Sequence, residues 1–212
     1  MKHIFFAACT AVAMTGCASG PSYTAEQCSA MDWYGLGVQD GRNGQPMTAL
    51  NDEIMGCREF GVEADLDAYR SGRDQGLTAY CVAPVLLDAS VQGVGDPFVC
   101  EPFSEELRLA FETGRDTRTA VQRWQGLKQQ YDQLIAQRDQ INAEGSQLSE
   151  RYRQTADEAT RAQIAARLDY LRQQLSAVEA QIDEASPIVA REEAEYQSAV
   201  ATYERVKAGF GN

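Results

Sequence analysis

The chain has 212 residues and a net charge of −12 at pH 7. Such an acidic protein is not expected to bind nucleic acid or anionic lipid headgroups, which attract basic surfaces. The single histidine is His3. Removal of the first residues would therefore leave no histidine for a Ser-His-Asp or Cys-His catalytic site, or for a histidine-bound metal.

Residues 1–16 have the pattern of a secretory signal peptide. A cationic start at Lys2 is followed by an apolar run from Ile4 to Met14. This run is shorter than the roughly 20 residues that a membrane-spanning helix needs. It fits the central region of a signal peptide, which is removed from the mature protein.

Met14-Thr15-Gly16-Cys17 resembles a bacterial lipobox, although Leu or another aliphatic residue is usual in place of Met14. The resemblance implies cleavage before Cys17 and acylation of Cys17, which would anchor the protein firmly in a membrane. The residue after the lipidated cysteine is Ala18 rather than the aspartate of inner-membrane retention, so the outer membrane is favoured, with the protein facing the periplasm. Residues 17–25 would then form a lipidated tether. The alternative is an ordinary secretory signal in which Cys17 has no role.

Cysteine usage predicts two disulfides. Four cysteines remain once those at positions 9 and 17 are set aside: Cys28, Cys57, Cys81 and Cys100. An even number in the periplasm is typical of disulfides, and three pairings are possible. Cys81–Cys100 is favoured because it closes a compact loop, which leaves Cys28–Cys57. A four-cysteine zinc site is the alternative, but no spacing is C-x2-C, and we expect no metal and no other cofactor.

An aromatic-glycine pattern recurs along the chain. It occurs as Tyr34-x2-Gly37-x3-Gly41, as Tyr69-x2-Gly72-x3-Gly76, and as Phe111-x2-Gly114, which lacks the second glycine. Positions i, i+3 and i+7 lie on one helical face. Glycine inside a helix costs roughly 1 kcal/mol relative to alanine, so we infer that these stripes allow close packing. We predict three short helices that cross at their glycines, with Tyr34, Tyr69 and Phe111 filling the space over them.

Residues 26–103 are predicted to form a small helical domain that is stapled by the disulfides. Met47–Phe60 has the pattern of a further helix between the two glycine stripes. Residues 82–102 are expected to be irregular, with one short apolar run from Val85 to Leu87.

Residues 104–212 are predicted to be a helical coiled coil. Ser104 is placed as an N-cap, and apolar residues then recur at spacings of three and four in two registers, one on each side of position 155. Because the two segments have similar lengths, we predict an antiparallel hairpin that reverses near Thr155. Thr155 and Glu158 could form a capping box there, and a kink is expected at Pro187. The alternative is one long helix in an intermolecular coiled coil. The predicted fold class is thus mainly α.

The combination of motifs points to a family. The relevant residues are Asp32-Trp33-Tyr34-x2-Gly37-x2-Asp40-Gly41, Cys57-x3-Gly61-Val62, Tyr69-x2-Gly72-x3-Gly76-x3-Tyr80-Cys81, Gly93 and Val99-Cys100. Together they resemble a bacterial envelope lipoprotein family, that of the domain of unknown function DUF2799, from Asp32 to about Arg115. The chain departs from the family pattern at Asp96-Pro97-Phe98, where an aromatic residue is expected after Gly95. The resemblance implies fold and localisation and supplies no reaction.

No catalytic residues are predicted. Asp40, Asp74 and Asp116 accompany the three glycine stripes, but each stands alone beside arginines, which favours ion-pair or capping roles over a calcium site or a pair of catalytic carboxylates. We therefore expect a non-enzymatic protein that binds an unidentified envelope partner through its helical hairpin. Apolar residues outside the seam would support this function, and Trp124, Ile135 and Tyr170 are candidates. The alternatives are a self-assembling structural lipoprotein and, less favoured, a cell-wall enzyme or carbohydrate-binding module.

Overall fold

The computed structural model describes residues 23–210, and this part of the chain is built from helices without any strand. The predicted mainly α architecture is confirmed. The α-helices are α1 (Ala25–Ser29), α2 (Trp33–Arg42), α3 (Asn51–Arg58), α4 (Leu66–Tyr80), α5 (Ala83–Gln92), α6 (Glu105–Gln154) and α7 (Glu158–Gly209). Short 3-10 helices at Met47–Leu50 and Pro97–Cys100 precede α3 and α6. The helix predicted over Met47–Phe60 is thus a 3-10 turn that continues into α3.

Two disulfides cross-link the first part of the chain, one between α1 and α3 and the other between the C-terminal end of α4 and the 3-10 helix at Pro97–Cys100. Cys28 is bonded to Cys57 with a Cα–Cα distance of 5.3 Å, and Cys81 is bonded to Cys100 at 5.5 Å. This is the pairing that the sequence favoured. The first bond lies in a small core that also contains Trp33, Leu50 and Tyr69. The segment of α1 is therefore fixed to α3 covalently, although α1 itself is only five residues long.

Helices α2 and α4 touch backbone to backbone at their glycines. A methyl group on Gly37 would overlap the Tyr69 carbonyl oxygen and lie 2.8 Å from the Arg73 nitrogen. The other three glycines of the two stripes face carbonyls and amides of the partner helix in the same way: Gly41, Gly72 and Gly76. Gly37, the first glycine of the α2 stripe, contacts the N-terminal half of α4. The two helices therefore run in the same direction. Alanine could not be accommodated at this separation, which explains the glycine stripes.

The α2–α4 pair has an approximate internal symmetry. Tyr69 is fully buried, and its hydroxyl donates a hydrogen bond of 2.8 Å to Asp40. Burial, followed by this hydrogen bond, raises the pKa of Tyr69. Tyr34, which occupies the equivalent place on α2, donates to Gln75. Tyr34 is 43% exposed, so the prediction that it fills space over a glycine is wrong. Its ring lies at the solvent edge of the crossing.

The third glycine stripe does not join this crossing, contrary to prediction. Gly114 on α6 lies against α5, where an added methyl group would be 2.6 Å from the Ser90 Cβ and 2.7 Å from the Leu87 carbonyl oxygen. Phe111 is half-buried, with its ring 5.6 Å from those of Phe98 and Phe103. The stripe still permits a close helix crossing, but its partner is a helix that the sequence did not reveal.

That helix is α5, and the expectation of an irregular segment at residues 82–102 is wrong. Pro84 lies in the first turn of α5, where its missing N–H and fixed φ are tolerated. The helix ends at Gly93, whose φ of 69° is left-handed. Leu86 and Leu87 are fully buried. Burial against α6 therefore stabilises a short helix whose apolar run alone gave no clear helical period.

A second core joins both halves of the chain. Its buried members come from α4, α5, the 3-10 turn at Pro97–Cys100 and the start of α6: Tyr80, Ala83, Leu86, Leu87, Ala89, Cys100 and Ala110. Side chains from the end of α7 pack on it: Tyr203, Val206 and Phe210. The base of the long hairpin is therefore anchored in the small domain at two points of the sequence.

The predicted antiparallel hairpin of α6 and α7 is confirmed. Six buried apolar residues along it belong to the predicted registers: Ile141, Ile164, Leu171, Val178, Ile182 and Val189. The reversal is at Thr155, which ends α6. The capping box is wrong, because Asp157 rather than Thr155 is the N-cap of α7 and accepts from the Thr160 amide at 2.7 Å. Helix α7 continues through Pro187.

Candidate interaction surface on the helical arm

The hairpin extends well beyond the small domain as a two-helix arm, which we define as residues 119–197. Helix α6 has 50 residues and α7 has 52, and a helix rises 1.5 Å per residue. From Gly114 to Gln154, α6 therefore spans about 60 Å. Two helices packed side by side bury one face each, so most of the arm surface is available to other molecules.

An apolar groove runs between α6 and α7 in the half of the arm nearer the small domain. Its apolar lining comes from both helices: Leu127, Tyr131, Leu134, Ala185, Ile188 and Val189. Gln130, Gln181 and Glu184 form a polar rim. The groove encloses about 250 Å³, and Ile188 is 39% exposed. Apolar side chains that two helices leave partly uncovered are suited to contact with a third helix.

Polar side chains are packed into the seam below this groove. The ring of Trp124 stacks on that of Tyr196, with centroids 4.6 Å apart. Glu192 is 7% exposed and has Arg123 and Arg191 within 3.6 and 3.4 Å. A buried carboxylate needs such partners to offset the loss of hydration. This layer fixes how α6 and α7 are aligned next to the groove.

The three residues proposed as exposed apolar surface, Trp124, Ile135 and Tyr170, differ in how far they are exposed. Trp124 stacks on Tyr196 and Ile135 packs against the hairpin core, and both are half-buried. Tyr170 is 49% exposed, with Arg167 packed 5.1 Å from its ring centre. The groove differs from these isolated residues because its apolar side chains come from both helices and form one continuous surface.

Polar contacts attach the C-terminal end of α7, beyond the arm, to α5. The Tyr203 hydroxyl donates to Asp88 at 2.7 Å, and the Lys207 ammonium donates to both Asp88 oxygens at 2.9 Å. Partial burial acts to raise the pKa of Asp88, but the hydrogen bonds from Tyr203 and Lys207 outweigh it and lower the pKa. The hydrogen bond to Tyr203, followed by that to Asp88, raises the pKa of Lys207. The contacts hold α7 against the small domain.

Residues 32–116 match the family described as protein of unknown function, DUF2799. These residues form a DUF2799 domain. The resemblance to this domain that the motifs indicated is thereby confirmed. No curated protein and no solved structure matches the chain.

The DUF2799 domain contains the helix-packing residues and three of the four disulfide cysteines, while Cys28 precedes it and the arm follows it. Its C-terminal limit at residue 116 lies inside α6. The family match thus includes the crossing of α5 and α6 at Gly114 and stops just before the arm. Cys17, the predicted lipidation site, lies outside the described residues, as do the signal peptide and most of the tether.

The repeated aspartates of the DUF2799 domain have different surroundings. Asp40 accepts from the Tyr69 hydroxyl rather than pairing with an arginine, and Asp116 forms an ion pair of 2.9 Å with Arg115. By position in the repeat, the counterpart of Asp40 is Gln75 rather than Asp74. Across residues 23–210, His, Cys, Asp and Glu side chains do not gather in the groups of three or more that could hold a metal ion.

Two features escaped the sequence analysis. The groove lies on one side of the α6–α7 pair, where apolar side chains remain partly uncovered. Heptad spacing identifies the residues between the two helices but not the side on which apolar side chains remain uncovered. The side chains between α5 and α6, notably Ser90 and Arg118, were missed because α5 was not predicted. The left-handed Gly93 after the apolar run was a usable signal for a helix end.

Proposed function

We propose that this chain is a lipid-anchored protein of the outer membrane that acts without catalysis, by binding a partner protein of the envelope along its helical arm. The observation that carries the proposal is the apolar groove between α6 and α7. The arm holds this groove away from the DUF2799 domain. A third amphipathic helix laid in the groove would cover Tyr131, Leu134 and Ile188, as helices do in other groove-binding complexes.

Charge favours a heterologous partner over a second copy of the chain. Between residues 179 and 195, α7 carries Arg191 as its one basic residue and six acidic residues: Glu179, Asp183, Glu184, Glu192, Glu193 and Glu195. A second copy would bring a like-charged α7 segment to the groove, which costs energy. A partner helix with an apolar face and basic flanks would complement both the apolar lining of the groove and the negative charge of this α7 segment.

The N-terminal pattern supports the anchor. Cys17 follows a signal-like segment, and α1 begins at Ala25. A lipid on Cys17 would hold the disulfide-linked end of the DUF2799 domain close to the membrane, and the arm would extend from it. Among residues 23–210, no helix is both long enough and apolar enough to cross a bilayer.

The absence of a histidine beyond His3 supports a non-catalytic role. The usual general bases and nucleophile partners of hydrolytic enzymes include histidine. The carboxylates described above are engaged by Tyr69, Lys207 or arginines rather than placed as a free acid–base pair.

Site-specific photocrosslinking in intact cells tests the groove. A photoreactive residue at Tyr131 or Ile188 would face the groove, whereas one at Gln137 would lie on an exposed part of α6 outside it. We expect one discrete heterologous adduct from Tyr131 and Ile188 and none from Gln137. Self-adducts from the groove positions would favour the assembly alternative. Equal labelling from all three positions, or no adduct, would contradict partner binding at the groove.

The anchor is tested separately with Cys17→Ser. We expect the wild-type chain in the outer-membrane fraction and the variant in the soluble periplasmic fraction, because removal of the acyl chains removes the membrane affinity. Cys9→Ser is the matched control, since this cysteine lies within the predicted signal peptide and should leave fractionation unchanged. Unchanged fractionation of Cys17→Ser would refute lipid anchoring while leaving the groove proposal standing.

A further inference from the structure

A cleft between α5 and α6 has the chemistry of an anion site. It encloses about 290 Å³ and is lined by the end of α5, the turn after it and one face of α6. This volume is at the lower limit of pockets that bind small molecules. Its polar lining includes Arg115, Arg118, Gln122 and Ser90, and no carboxylate is among the lining residues.

Arg118 is held in place by packing rather than by an acid. Its guanidinium lies so close to Gly93 that a methyl group on that glycine would overlap it. Within the described part of the chain, the Arg118 guanidinium forms no ion pair and no hydrogen bond. The side chain is half-buried. An arginine that is positioned against backbone, with its N–H donors unused, is arranged to receive a carboxylate or phosphate in bidentate fashion.

A second donor in the cleft is also unused. The Ser90 hydroxyl oxygen is buried and has no hydrogen-bond partner among residues 23–210. A buried polar group without a partner is costly, and it calls for a partner that is not a protein atom. By contrast, the Thr119 hydroxyl already donates to the Arg115 carbonyl oxygen, and Arg115 is partly neutralised by Asp116. Arg118 and Ser90 therefore both carry donors that no protein atom among residues 23–210 engages.

The rest of the lining indicates what accompanies the anionic group. Ala89, Val94, Pro97 and Phe111 form an apolar side of the cleft. We infer that the cleft binds a small oxyanion, a carboxylate or a phosphate, whose carrier has a short apolar part. The oxyanion would accept from Arg118 and Ser90, and the apolar part would contact Pro97 and Phe111. The net charge of −12 opposes anions at long range, so recognition depends on these local donors.

Titrations of ¹⁵N-labelled protein, followed by NMR at constant ionic strength, test this inference. The probes are inorganic phosphate and isobutyrate, a carboxylate with an apolar end. We expect saturable shifts of the Arg118 Nε–H signal and the Gly93 amide with at least one probe. A response to phosphate alone would assign the site to phosphates, and a response to isobutyrate alone would assign it to carboxylates.

Three variants separate specific binding from a general charge effect. Arg118→Gln should weaken binding about tenfold or more, because it removes charge-assisted hydrogen bonds. Ser90→Ala should weaken it by a smaller factor. Arg108→Gln is the matched control, since Arg108 is an exposed arginine on the same helix outside the cleft, and it should leave affinity unchanged. Amide spectra of the variants would show that each is folded.

The inference is overturned if neither probe gives saturable shifts, or if Arg118→Gln and Arg108→Gln weaken binding equally. It does not depend on the lipid anchor or on the groove. Either proposal can therefore fail without the other.

Discussion

Alanine in place of Gly37 should destabilise the DUF2799 domain, against the trend of helix propensity. Propensity alone predicts a gain of roughly 1 kcal/mol for glycine to alanine inside a helix. At Gly37, however, the new methyl group would overlap the Tyr69 carbonyl oxygen and lie 2.8 Å from the Arg73 nitrogen. Ordinary contact begins at 3.4 Å, so α2 and α4 must separate by more than half an ångström along backbone that cannot rotate away.

The expected net loss is about 2 kcal/mol. Overpacking of this kind costs up to about 3 kcal/mol, and the propensity gain offsets roughly 1 kcal/mol of it. Urea unfolding followed by the fluorescence of Trp33, which is buried on α2, measures the change. Trp124→Phe in the background removes the other tryptophan signal.

Gly126→Ala is the matched control. Gly126 lies inside α6, and nothing is within 4 Å of the methyl group that the substitution would add. This variant should gain roughly 0.5–1 kcal/mol, measured by the fluorescence of Trp124 in a Trp33→Phe background. If Gly37→Ala were neutral or stabilising like Gly126→Ala, the close backbone contact of α2 and α4 would be refuted as the reason for the glycines.

Three further outcomes are expected. Lys207→Met should accelerate amide hydrogen exchange in the last turn of α7, because it removes one of the two side chains that donate to Asp88. The Asp88 pKa lies below its ordinary 3.8, so the wild-type contact should be intact above pH 3.8 and be lost as the pH falls through the lowered value. Exchange in Lys207→Met should show a smaller step, because only the hydrogen bond from Tyr203 to Asp88 remains. Replacing both Cys28 and Cys57 with serine should cost about 3–4 kcal/mol in urea unfolding, from the 29-residue separation that the bond spans. Tyr69→Phe should cost about 1 kcal/mol in the same assay, since it removes a hydrogen bond from a buried hydroxyl; an unchanged midpoint would contradict that role.

The arm was predictable from the sequence because the residues that define it lie close together along the chain. Apolar residues at spacings of three and four define a helical seam whatever the surroundings, and two segments of similar length favour a hairpin. The reversal was placed correctly at Thr155. The N-cap of α7 was missed by two residues, since Asp157 is an equally good capping residue and the choice between them depends on the path of the turn.

The small domain was predictable only in part, because its contacts join distant segments. Glycine stripes indicate close approach but do not state which helices meet. The structure pairs α2 with α4 and gives Gly114 to α5. Helix α5 itself is formed by burial of Leu86 and Leu87 rather than by a clear helical period. The cleft at Arg118 therefore could not be predicted.

Helix α6 is unbroken from the crossing at Gly114 to the turn at Thr155. A rotation of α6 at that crossing therefore moves the whole arm. A change of about 5 degrees in the angle between α5 and α6 would sweep the distant end of the arm through about 5 Å over its span of about 60 Å. The Gly114 contact permits little sliding, since Ser90 and Leu87 lie directly against it. Small adjustments at the base of the arm are thus amplified at its tip, and the direction in which the arm points is set by the Gly114 crossing together with the contacts of α7 with Asp88.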